Sequence, residues 1–137
     1  MIRIKVVSFT REGAKTGARI AKLLHDELTE QYARSEDLSL RSTELTRFAQ
    51  QAMVDCDLII FVGNTDVAVR AIAPYIQNNG YDPAVFAVDE ESTFVIPLLK
   101  GGKDSANACA QRVAAGLQVF LADSEKNEGK DEAYDVI

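Results

Sequence analysis

Three short stretches of this 137-residue chain carry the residue types that hold anions, and the richest is FVGNTDVAVRAIAP, Phe61 to Pro74. There an apolar strand runs into a small polar turn and then into a helix. Gly63 lets the backbone approach a ligand, Asn64 or Thr65 caps the helix, and the first free N–H groups point toward the end of the strand. Arg70, about one and a half turns further in, has the reach to fork back onto a carboxylate or phosphate. A tight turn followed by a solvated arginine explains the same letters equally well.

Two other turns repeat the chemistry. The first offers Ser8, Thr10 and Gly13 with Arg11 and Lys15; the last offers Gly101, Gly102 and Ser105 with Lys100 and Lys103. If the strands are parallel, turns that follow them open at the carboxyl edge of the sheet, where open α/β folds bind ligands. Each helix start contributes only about 0.3–1 kcal/mol at an exposed site, so several must act together. The expectation is one shared, positively biased pocket for a ligand bearing several carboxylates or phosphates. Glycine and hydroxyl residues occur at most strand–helix junctions, so no single turn identifies a ligand.

The elements that must position these turns alternate along the chain, which marks an α/β domain. The pattern predicts a strand over Ile2–Phe9 and a helix from about Ala14 to Tyr32, with Gly17, Ile20, Ala21, Leu24 and Leu28 on one face. A short strand at Asp37–Arg41 and a helix from Ser42 or Thr43 to Met53 follow. Asp57–Val62 is a near-continuous apolar run, as a central strand requires. The helix from Thr65 to about Gln77 must kink or divide at Pro74. Ala84–Val88 and Thr93–Leu99 are joined by a turn so short that only an antiparallel hairpin fits, and Pro97 suits an edge. A last helix spans about Asp104 to Val119. The predicted fold is a three-layer α-β-α sandwich with a mostly parallel sheet and an antiparallel hairpin at one edge. It forms one domain over residues 1–120, followed by an acidic, flexible tail over 121–137.

A chain of this length buries about two-thirds of the surface its unfolded form exposes and needs no staples. Cys56 and Cys109 have no CxxC spacing and no histidine partner, so neither a metal nor a disulfide is indicated. Much of the net charge of −6 sits in the last eighteen residues, where six acids face Lys126 and Lys130. That balance argues against nucleic-acid binding. No apolar stretch approaches membrane-spanning length, so a soluble, cytoplasmic protein is expected.

These stretches, in their order, resemble the N-terminal domain of the cobalamin biosynthesis protein G family, the cobalt-precorrin-5A hydrolases. The pieces that carry the resemblance are VVSFTREGAKTGARIAKLL, DLIIFVGNTDVAVRAIAPYIQ, DPAVFAVDE, FVIPLLKGG and SANACAQRVA. The resemblance implies an enzyme that opens a δ-lactone on a cobalt-containing tetrapyrrole and releases acetaldehyde, with no further cofactor. The tetrapyrrole's acetate and propionate arms would suit a cationic, glycine-lined rim. The reaction needs a base to deliver water to the lactone carbonyl and a donor for the oxyanion.

The chain departs from that pattern where the base is concerned. The family usually reads Gly-His-x-Gly-Gly-Ala-Asn before the last helix; here Gly101, Gly102, Lys103, Asp104, Ser105, Ala106 and Asn107 stand there. Gly102 replaces the histidine, and Asp66 replaces a glycine of the second turn. The further domains typical of the family are absent from this sequence, so a separate protein supplying them is a candidate partner. His25 is predicted to lie deep in the first helix, too far from the turn to substitute. Glu12, Asp66 and Asp104 are acidic stand-ins if burial raises a carboxyl pKa, and the last two equally suit helix starts. Three functions stay open: a hydrolase domain, a non-catalytic corrinoid-binding module, and a flavodoxin-like domain using Ser8, Thr10 and Gly13 as a phosphate loop. The last lacks a tryptophan and an aromatic loop to sandwich a flavin.

Overall fold

A computed structural model describes residues 1–33 and 42–122. The elements are β1 (Arg3–Ser8), α1 (Arg11–Leu23), β2 (Leu28–Ala33), α2 (Ser42–Asp55), β3 (Leu58–Val62), α3 (Thr65–Ile72), β4 (Ala84–Val88), β5 (Phe94–Leu99), α4 (Asp104–Leu117) and β6 (Phe120–Leu121). The expected strand at Asp37–Arg41 and the tail from residue 123 lie outside the described residues.

β3 is buried at every position, with Leu58, Ile60 and Val62 in one core and Ile59 and Phe61 in the other. A strand covered on both faces belongs inside the sheet, and the order is β2-β1-β3-β4-β5-β6. β1 to β4 run parallel, β5 is antiparallel to β4, and β6 is parallel to β5. α1 and α4 cover one face against Ile4, Val6, Ile60 and Phe86; α2 and α3 cover the other against Val7, Ile59, Phe61 and Val85. This is the three-layer sandwich expected, hairpin included. β6 pairs only with Phe94 and Val95, so Pro97 sits where β5 has no outer neighbour.

The first helix differs from its prediction. It ends at Leu23, and Leu28–Ala33 forms the edge strand β2 instead of continuing the helix to Tyr32. Leu24 and Leu28 fit helical spacing, but Leu24 is buried and Leu28 is 51% exposed. The connection is held by the Thr29 hydroxyl donating to Leu24 O and by the Glu27 carboxylate accepting from Ile2 N. His25 therefore lies in this connection, its Nδ1 3.0 Å from Lys22 O. Pro74 divides its helix as predicted, opening a 3-10 turn at Ala73–Tyr75. Among the described residues no helix is long and apolar enough to cross a membrane.

Asp57, just ahead of β3, locks the amino edge of the sheet. Its carboxylate accepts from Arg3 N at 2.9 Å and pairs with Lys103 Nζ at 3.0 Å. Burial pushes this carboxyl up, but the Arg3 hydrogen bond and the Lys103 charge together hold it below the usual range. A depressed folded value gives stability that is complete above the unfolded value, about 3.9, and is lost as pH falls through the folded one. Asp57→Asn should therefore cost about 1 kcal/mol at neutral pH, a figure already reduced because Lys103 is exposed. Urea midpoints of both chains should converge as the pH drops through the carboxylate range. A gap that is independent of pH would contradict this role.

Candidate functional site at the carboxyl edge

β1 and β3 are neighbours, with Ser8 opposite Val62, yet their following helices leave to opposite faces of the sheet. The divergence opens a crevice at the carboxyl ends of these two strands, the switch point where open α/β sheets take their ligands. The turns on either side of it meet. Gly63 has φ +148, a conformation that favours glycine, and a Cβ built on it would lie 3.5 Å from Phe9 Cδ2. Gly63 N also donates to Val88 O, tying the turn to β4. Phe9 stacks on Phe61 beneath.

Both helix starts are capped from their own turns. Thr10 Oγ1 accepts from Gly13 N at 2.9 Å, and Asn64 Oδ1 accepts from Asp66 N at 2.8 Å. Thr65 is the first residue of α3, and Arg11, exposed, is the first of α1. Ser8 is 2% exposed beneath α1, its Oγ 3.8 Å from a Cβ built on Gly17, and its hydroxyl has no hydrogen-bond partner among the described residues. An unpartnered buried hydroxyl costs about 1–3 kcal/mol. Arg70 does not reach the crevice mouth as expected: it is exposed and its Nε pairs with Asp66 Oδ1 at 3.2 Å, one turn back along the same helix. Glu12 is likewise exposed and paired with Lys15 at 3.4 Å.

The third turn is elsewhere. Because β5 runs antiparallel to β4, its carboxyl end returns to the amino edge of the other strands, so the loop from Gly101 to Asn107 lies at the opposite edge from Thr10 and Gly63. Lys103 pairs with Asp57, and Gly102 N donates to Asp82 O. Asn107 Oδ1 accepts from Gly101 N while its Nδ2 donates to Gly101 O and Lys103 O, closing the loop on itself. Ser105 and Asp104 are exposed on the first turn of α4, and Ser105 O accepts from the Cys109 thiol. The expected pocket of three turns is corrected to two turns, and the expected cationic rim with it.

What does stand at the carboxyl edge as the third loop is the β4–β5 turn, Asp89-Glu90-Glu91-Ser92. It is acidic. Thr16 Oγ1 donates to Glu90 O at 2.8 Å and lies 3.2 Å from Ser92 Oγ, which fastens the turn to α1. Asp89 Oδ1 accepts from Thr93 N and Phe94 N, so its charge is spent within the turn. The crevice can thus offer an acidic ligand group the start of α1, where Arg11 is exposed, with Gly63 leaving room for backbone approach. Thr16 and Phe9 were missed by sequence reading; a hydroxyl on the buried face of α1 and an aromatic directly after β1 were the available signals.

Comparison with known proteins places this geometry in a context. The family model described as cobalamin synthesis G N-terminal matches residues 47–122, more than half of the chain. The cobalt-precorrin-5A hydrolase of Salmonella typhimurium (strain LT2) is 41% identical over 69 residues, which cover 50% of this chain and 20% of that protein. The cobalt-precorrin-5A hydrolase of Priestia megaterium is 35% identical over 60 residues, 44% of this chain and 16% of that protein. The match therefore spans a fifth or less of these curated relatives. The crystal structure of a cobalamin biosynthesis protein G homolog from Sulfolobus solfataricus shares the fold, with a TM-score of 0.66 and 23% identity over 89% of this chain and 36% of that one.

Proposed function

Because the chain belongs to the cobalamin synthesis G N-terminal family, we propose that it works in cobalamin biosynthesis by holding a cobalt-containing tetrapyrrole at the β1–β3 crevice while a lactone on it is opened. The observation that carries this reading is the family match, which runs from α2 through the Gly63 turn to β6. The ligand's carboxylate arms suit the α1 start and Arg11, and its apolar ring edge suits Phe9, half-buried and backed by Phe61.

The chemistry of lactone opening needs a base beside the carbonyl and a donor for the oxyanion. Glu12 and Asp66 are exposed and ion-paired, Asp104 is exposed at the far edge, and Gly102 has no side chain to offer. In our reading this chain contributes binding and orientation, and the base comes from a separate protein or segment carrying the remaining family domains. Acetaldehyde release is then a property of the combination.

The test is a titration of the chain with cobalt-precorrin-5A, followed by its absorption spectrum. A saturable spectral change is expected, weakened about tenfold by Arg11→Ala, as loss of a charge-assisted hydrogen bond implies, and unaffected by Lys100→Ala at the opposite edge. No spectral change, or equal weakening by the two variants, would sink the assignment.

A further inference from the structure

On the α2 side of the sheet, the described residues leave the amino halves of β1 and β2 uncovered, because α2 packs chiefly over β3 and the carboxyl half of β1. The result is a groove of about 690 Å³, in the range of small-ligand pockets. It is separate from the β1–β3 crevice: its floor is Arg3 and Lys5 of β1 with Glu30 and Tyr32 of β2, and its wall is Gln51 and Asp55 from the last turns of α2. Lys5 is opposite Glu30 in the strand register, and Tyr32 opposite Val7.

Lys5 is the unusual member. It interrupts an otherwise apolar run, Ile4 to Val7, and is half-buried. Its ammonium lies 5.4 Å from the Tyr32 ring centroid and 5.9 Å from that of Phe48, and among the described residues no carboxylate lies within 4.0 Å of it. The neighbouring acids are engaged elsewhere. Glu30 Oε2 accepts from the Tyr32 hydroxyl at 2.9 Å, and Glu27 Oε2 accepts from Ile2 N at 2.7 Å. Of the acids lining the groove, Asp55 has no such tie among the described residues. Cys56, beside them, is buried and its thiol is pushed up to about 11, so it is neutral at physiological pH and brings no competing anion.

We propose that this groove binds a small planar carboxylate, its anionic end on the Lys5 ammonium and its flat face along Tyr32 and Leu28. A half-buried cation between two aromatic rings, without a carboxylate of its own, offers more to an anion than a solvated lysine does, because less water screens it. The exposed sides of Leu28 and Tyr32 supply the apolar contact. Asp55 opposes the anion across the groove and limits the affinity.

The test uses 4-hydroxybenzoate as the probe and the neutral 4-hydroxybenzamide as its control, with amide chemical shifts of the ¹⁵N-labelled chain as the readout. Saturable shifts at Lys5, Glu30, Tyr32 and Gln51 are expected with the acid. Lys5→Gln should weaken the acid about tenfold and Asp55→Asn should tighten it, both against an unchanged thermal midpoint. Absence of shifts up to the probe's solubility limit, equal binding of the amide, or shifts centred on Arg11 or Gly63 would overturn the proposal. Should Lys5→Gln fail to fold, the sign of the Asp55→Asn effect decides alone.

Discussion

Gly102→His, the substitution that restores the histidine of the family pattern, is expected to lower the thermal midpoint by on the order of 10 °C and to produce no hydrolysis. A Cβ built at Gly102 would lie 2.0 Å from Gly80 O, a backbone atom that cannot swing aside. The opposing loop is held firmly: Asp82 accepts from Gln77 N and Asn78 N through its carboxylate and from Gly102 N through its carbonyl. Relieving such an overlap costs about 1–3 kcal/mol, and the upper end applies where the obstacle is main chain. The neighbouring Gly101 is as tightly confined, with its built Cβ 2.2 Å from Ala84 N. Gly101 thus packs the loop on the start of β4 and Gly102 packs it on the Gly80 turn, so a side chain at position 102 has no room in this fold. A variant that keeps its midpoint and gains acetaldehyde release would refute this.

Phe61→Ala should destabilise the chain by about 3–5 kcal/mol, enough to abolish most of a typical domain's stability. Phe61 is fully buried, with Phe9 stacked parallel at 6.4 Å and Phe48 edge-on at 6.4 Å. The residue links core to crevice. Phe9 rests on it, and the Gly63 turn faces Phe9, so truncation removes the floor that sets the two turns against each other. Phe61→Leu, which keeps most of the volume, should recover much of the stability but leave the Phe9 turn less ordered. Urea unfolding of both variants measures the first effect, and a loss below about 1 kcal/mol for Phe61→Ala would contradict the packing role.

How much of this was legible in the letters depends on the element. β3 announced itself because a strand buried on both faces is apolar throughout, and α4 because Ala106, Ala110, Val113 and Leu117 recur at helical spacing. β2 was hidden. An edge strand carries polar residues such as Thr29, Glu30 and Gln31, while Leu24 and Leu28 extended the helical rhythm of α1 through the His25–Glu27 connection. β6, two residues long, is too short for any period to show.

The site was legible turn by turn but not as an assembly. The short turn after Val88 already fixed an antiparallel hairpin, and with it the return of Leu99 to the amino edge. The residue chemistry at Gly101 to Asn107 drew attention instead, and its cations pointed to a ligand where the fold supplies Asp57. Arg70 went the same way, since Asp66 four residues earlier is the partner that helical geometry provides. Lys5 passed unnoticed because a lone lysine in a strand carries no motif; only the register with Glu30 and Tyr32 reveals its surroundings.

The most direct test of the account is amide hydrogen exchange on the chain saturated with cobalt-precorrin-5A. Slowed exchange at Phe9 to Gly13 and at Gly63 to Asp66, with Gly101 to Asn107 unchanged, is the predicted outcome. Protection confined to Gly101–Asn107 would place the tetrapyrrole at the amino edge and contradict it.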